Sequence, residues 1–195
     1  SDVCSSDLIF PLALLGLLAG LIATLYMRGL TGKIPIPKSI PIYLLPIIAG
    51  TICGVTGLFL PETLGLGTNF IRNIIESPMS IDYVFLLLLG KLFLTVICIR
   101  LYLFGGIFSP ALFLGVALGC IFVSLFNEII PDLNYSLFVI AGMAAVTSSV
   151  IGGPITTLLI VFELTSNYQV ALGAGISVCF ANLISSKIYG HSAFE

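Results

Sequence analysis

Charge is what this 195-residue chain has least of: Asp, Glu, Lys and Arg together supply 8% of it, against 58% hydrophobic residues. A soluble domain needs a charged, solvated surface. A composition this poor in charge excludes one and points to a chain that crosses a membrane several times. Histidine is nearly absent too, with His191 alone, and it stands at a helix end where a surface residue is the plain reading. Cys53, Cys98, Cys120 and Cys179 lie singly in apolar segments, without CxxC spacing or a neighbouring His, so they read as small buried hydrophobes and no metal site is expected. There is no Ser/His/Asp arrangement, no GxxxxGK phosphate loop and no cofactor fingerprint, which removes the enzyme classes. No basic cluster suggests a nucleic-acid partner.

What the chain does have is a series of apolar runs broken by Gly and Pro. The first eight residues, SDVCSSDL, are polar and match the translation of a common sequencing-library adapter, so residues 1–8 are set aside as non-native. On this reading the native chain starts near Ile9, inside an open reading frame, and is a fragment truncated at both ends. Leu8 to Met27 is long enough to span a bilayer, and Arg28, Lys33 and Lys38 behind it place the following loop in the cytoplasm. Ile42 to Leu60 is a second apolar helix, with Gly50, Gly54 and Gly57 suited to close helix contact. Thr68 to Ser77 reads as a short polar or interfacial helix. Asp82 to Ile99 is a third span with Lys91 near its centre, expected to snorkel or to pair with backbone carbonyls. Leu133 to Phe162 is too long and uncharged for one span, and Gly152-Gly153-Pro154 divides it into two shorter helices. Val170 to Ser186 is the last apolar helix. Glu163 reads as a structural carboxylate or, alternatively, a proton station.

One stretch stands apart: Phe104-Gly105-Gly106-Ile107-Phe108-Ser109-Pro110, leading into the apolar run Ala111 to Phe126. Ser109 suits an N-cap and Pro110 the first helical position, so a helix is expected to begin there inside apolar surroundings. Its Ala111, Gly115 and Gly119 would share a face open to a close neighbour. By pattern alone the stretch is also a plain helix break. In lipid, however, a helix start must have its N–H groups satisfied, and an anion fits between the two glycines and the N–H groups of Ile107 and Phe108.

These residues resemble the CLC family of chloride channels and chloride/proton exchangers. The likeness rests on Gly105 to Pro110 with the continuing ALFLGVALG, on AGMAAVTSSVIGGPITTLLIVFELTSNY from Ala141 to Tyr168, and on their separation. A looser pattern extends from Ile9 to Glu195. The resemblance implies an all-α membrane protein, a polytopic bundle of tilted and broken transmembrane helices, in which residues 9–195 form the second half of a CLC-type inverted repeat. It implies a multi-pass protein of the cell membrane that moves chloride, as a voltage-gated chloride channel or a chloride/proton antiporter. It also implies a homodimer, with a dimer face that includes the helices across residues 155–186. The implied chloride site is Gly105, Gly106, Ile107, Phe108, Ser109, Pro110 and Phe194, with backbone N–H groups of Ile107 and Phe108 as the main ligands. Two departures stand out. The family's Gly- and Ser-rich segment before the glycines is here Arg100-Leu101-Tyr102-Leu103-Phe104, and the Tyr whose hydroxyl touches the anion is replaced by Phe194 in Ser192-Ala193-Phe194-Glu195. The family's gating and proton-transfer carboxylates belong to motifs of the first half. Two other readings remain open on the residues alone: a secondary transporter for another substrate, and a non-transporting membrane scaffold.

Overall fold

The computed structural model describes residues 6–32, 41, 44–103, 105–127, 133–165 and 167–188. They form eight α-helices and one 3-10 turn, with no strand among the described residues. In order these are α1 (Ser6–Thr31), α2 (Leu45–Phe59), the turn Pro61–Thr63, α3 (Thr68–Glu76), α4 (Ile81–Arg100), α5 (Phe108–Phe126), α6 (Tyr135–Ile151), α7 (Pro154–Thr165) and α8 (Tyr168–Ile188). Helices α1, α4, α5 and α8 are long and apolar enough to cross a membrane, while α2, α6 and α7 are apolar but shorter. Phe104, Phe194 and His191 lie outside the described residues.

The centre of the bundle is α6. Asn134 opens it by accepting the Leu137 N–H at 3.2 Å, and every residue from Leu137 to Val150 is buried. Gly152 closes it in the left-handed conformation at φ 78°, its N–H on the Ser148 carbonyl, and Pro154 then starts α7. That is the division the Gly-Gly-Pro sequence predicts: a residue with no Cβ penalty takes the left-handed C-cap, and a residue with no N–H to lose takes the next helix start.

Around α6 the packing is by backbone approach. In a bilayer there is no hydrophobic drive between helices, so close contact of small residues has to supply the attraction. A Cβ placed on Gly115 of α5 would lie 2.6 Å from the Gly142 carbonyl, and one on Gly142 would lie 2.6 Å from the Gly115 carbonyl. The expected small-residue face of α5 is therefore pressed against α6. Helix α1 meets α8 in the same way: a Cβ on Gly16 would lie 2.5 Å from the Ser177 carbonyl, and the Ser177 hydroxyl donates to the Leu12 carbonyl at 2.8 Å.

Helix α2 behaves differently from its sequence reading. A methyl added at Gly50 or Gly54 would meet nothing within 4 Å, and only Gly57 packs closely, against Leu64. The close helix contact expected of Gly50 and Gly54 is not made within the described residues, because α2 buries only Leu45 and Ala49. The cysteines also divide. Cys120 is buried as expected, Cys179 is exposed, and Cys53 and Cys98 are half-buried with their sulfurs 2.8 Å apart.

Candidate anion site

The site begins where α4 ends. The Leu103 N–H reaches back to the Cys98 carbonyl at 2.9 Å and the Tyr102 N–H to the Ile99 carbonyl at 3.2 Å, the paired bonds of a Schellman closure. The residue this closure forces into the left-handed region is Tyr102, at φ 60°. Glycine takes that conformation without cost; a tyrosine carries roughly 1–2 kcal/mol of strain there. The chain then runs through Gly105 and Gly106, where an added Cβ would meet nothing within 4 Å, so the backbone faces open space.

Helix α5 starts two residues earlier than the Ser-Pro signal predicts. Its first residue is Phe108 and its N-cap is Ile107, which has helical dihedrals and makes no side-chain capping bond. Ser109 is therefore not the cap and Pro110 is the third helical residue, not the first. The physical reason is a competing partner: the Ser109 hydroxyl donates to the Leu66 carbonyl at 2.7 Å, far away in sequence, instead of accepting from its own helix. Pro110 has no N–H to lose at that position, so it fits the first turn as well as it would the first residue. The Ala111 N–H makes the opening helical bond to the Ile107 carbonyl at 3.3 Å. The N–H groups of Phe108 and Ser109 precede it and have no intrahelical acceptor, and the positive end of the helix dipole lies there.

Four of the expected residues, Gly105, Gly106, Ser109 and Pro110, line one cavity of about 390 Å³. Ile107 and Phe108 are not among its lining residues: Ile107 packs against the core, its carbonyl accepting from the Tyr26 hydroxyl at 3.4 Å, and Phe108 is 41% exposed. Phe194 lies outside the described residues.

The same cavity is lined by a residue for which sequence reading favoured a structural role. Lys91 of α4 is 3% exposed, and its ammonium donates to the Thr63 carbonyl at 2.7 Å and the Gly65 carbonyl at 2.8 Å, with the Phe113 ring centroid 5.3 Å away. The carbonyl pairing is thus as expected, and the same side chain lines the cavity. Lys91 and Ser109 between them engage the carbonyls of Thr63, Gly65 and Leu66. The segment between the 3-10 turn and α3 is thereby tied to α4 on one side and to the start of α5 on the other. The signal for this was present as a lone cation in an apolar span, but its partners are 28 and 26 residues away and no local spacing reveals them. Glu163 is exposed, near the end of α7. No group of three or more His, Cys, Asp or Glu side chains able to hold a metal occurs among the described residues.

The chain matches known proteins. The family described as "Voltage gated chloride channel" matches residues 2–186. The chain is 32% identical over 145 residues to an H(+)/Cl(-) exchange transporter ClcA of Vibrio parahaemolyticus, covering 73% of this chain and 31% of that protein. It is 35% identical over 125 residues to the ClcA of Vibrio vulnificus, covering 63% and 27%. Among solved structures, a slow cyanobacterial Cl-/H+ antiporter superposes with a TM-score of 0.86 at 26% identity, over 97% of this chain and 46% of that one. The chain thus spans about a third of the length of these curated relatives and just under half of the solved antiporter chain. It is a multi-pass membrane protein of an ion-transporting rather than an enzyme family, and with a match that runs almost from end to end, it belongs to the voltage-gated chloride channel family.

Proposed function

We propose that this chain is the C-terminal half of a subunit that moves chloride across the membrane in exchange for protons, the activity named for its curated relatives. One observation carries the reading: the open Gly105-Gly106 backbone and the start of α5 at Ser109 and Pro110 line the same cavity as the buried Lys91 side chain. An anion entering there exchanges water for N–H dipoles, with Ile107 and Phe108 as the principal ligands. A helix start and a lysine held by neutral carbonyls both favour negative charge. A cation path would need free acceptors, and the carbonyls of Thr63, Gly65 and Leu66 are already engaged by Lys91 and Ser109.

The subunit is a homodimer in this reading, through α7 and α8. Ile155, Leu159, Leu172 and Leu183 stand more than half exposed on these helices, an apolar surface available to a second copy as well as to lipid. Cysteines placed on α7 and α8 of the complete subunit should cross-link between copies.

Chloride efflux from vesicles tests the main claim. A complete subunit containing this segment should release chloride with stoichiometric proton uptake, and a bulky Gly106→Val change should abolish the flux while the protein stays folded. Chloride flux unchanged in a folded Gly106→Val subunit would refute the site. Vesicles with this chain alone should be no leakier than empty ones, because half of an inverted repeat leaves the polar wall open to lipid.

A further inference from the structure

The cavity has a second chemistry on its wall. Cys53 in the middle of α2 and Cys98 near the end of α4 both line it, and their sulfurs stand 2.8 Å apart. The two residues are 45 positions apart in sequence, so this meeting is a product of the fold. Both thiols are only half-buried, unlike the enclosed Cys120. A small oxidant that enters the cavity therefore reaches two adjacent thiols at once.

The side of the membrane follows from Arg100, two residues beyond Cys98. Its guanidinium donates to the carbonyls of Gly29 and Arg28 at the end of α1, the end that the positive-inside rule assigns to the cytoplasm. The cytoplasm keeps thiols reduced, so the resting form is the dithiol and the pair responds to oxidant.

We propose that Cys53 and Cys98 form a reversible redox site, a dithiol that hydrogen peroxide or a related small hydroperoxide converts to an intrachain disulfide. One thiolate attacks a peroxide oxygen, giving a sulfenic acid and releasing the other oxygen as water once protonated. The second thiolate then attacks the sulfenic sulfur and expels its hydroxyl, also as water. Two electrons pass from the sulfurs to the peroxide, the two thiol protons end in water, and a dithiol reductant reverses the change by exchange.

The consequence lies in α2. With only Leu45 and Ala49 buried, this helix is held along a narrow strip, and through Cys53 it contributes to the lining of the cavity. A disulfide draws the sulfurs to about 2.0 Å and ties α2 covalently to α4. The α2 side of the cavity is then pinned, and transport slows. This last step rests on the transport reading proposed above; disulfide formation does not.

The test uses the complete subunit in two measurements. Purified protein is treated with hydrogen peroxide, free thiols are alkylated, and peptides are mapped by mass spectrometry. A linked Cys53–Cys98 peptide is expected, lost again on dithiothreitol, with Cys120 and Cys179 unlinked. Cys53 and Cys98 both remaining alkylatable, or pairing elsewhere, would overturn the site. In vesicles, peroxide should lower the chloride efflux rate and dithiothreitol restore it, with no response in Cys53→Ser or Cys98→Ser. A linked peptide with unaltered efflux would overturn the control of transport. A linked peptide with no chloride efflux in any state would leave the redox site standing and sink the transport reading.

Discussion

The sharpest mechanical test of the bundle is Gly142→Ala. The new methyl would sit 2.6 Å from the Gly115 carbonyl oxygen and 3.1 Å from the Gly119 backbone, both on α5. Attractive contact needs about 3.5–4.0 Å, so α5 and α6 must part by roughly 1 Å. The obstruction is backbone, with no side chain that can swing aside, which puts the overpacking cost near the upper end of its range of about 1–3 kcal/mol. Against this, alanine is the better helix former by about 1 kcal/mol. The net expectation is a loss of about 2 kcal/mol, and the start of α5 should shift with it. Gly175 provides the control. A Cβ there meets Leu158 at 3.8 Å, an ordinary contact, so Gly175→Ala should keep the helix gain and stabilise by about 0.5–1 kcal/mol. Thermal unfolding of detergent-solubilised protein, followed by helical circular dichroism and by recovery of the monodisperse peak, compares the two. A Gly142→Ala protein as stable as the parent would refute the backbone-contact account of α5 and α6.

Tyr102→Gly should raise stability by about 0.5–1 kcal/mol, since relief of roughly 1–2 kcal/mol of left-handed strain exceeds the added freedom of glycine in the unfolded chain; a loss of stability in the same unfolding assay would contradict it. Ser109→Ala removes the hydroxyl bond to Leu66, so it should cost about 1 kcal/mol and loosen the segment before α3, detectable as faster amide exchange around Leu66. Exchange that changes only within the first turn of α5 would favour the capping role instead. Phe194→Tyr in the complete subunit should tighten chloride binding, by at most about 1.5–3 kcal/mol for one added charge-assisted hydrogen bond. Calorimetry showing no change in a folded protein would remove Phe194 from the proposed site.

What the residues told of this fold was what is written locally. The break at Gly152-Gly153-Pro154 and the small-residue face of α5 were legible because a helix end and a close approach each need particular residues at fixed offsets. The start of α5 was misplaced because Ser109, a good cap by type, had a better acceptor 43 residues away. The same limit hid the rest of the site. That Lys91 would seek carbonyls followed from a cation in an apolar span, but the identity of Thr63 and Gly65 depended on how α4 packs. The Cys53 and Cys98 contact had no local spacing at all, and Gly50 and Gly54 carried a packing signal that this chain leaves unused among the described residues.

The pairing of α1 with α8 has a consequence for biogenesis. Ser177 and Leu12, which hydrogen-bond across that contact, are 165 residues apart. At about 5–20 residues per second, a ribosome needs roughly 8–33 seconds to deliver the second after the first. For that interval α1 sits in the bilayer with its Gly16 and Gly20 notch unfilled, a docking surface for any passing span with a small-residue face. Helix α6, which α1 also covers, arrives in the same late window. Insertion and assembly are therefore separated in time, and α1, made before α2 to α8, is among the last of these helices to be locked in place.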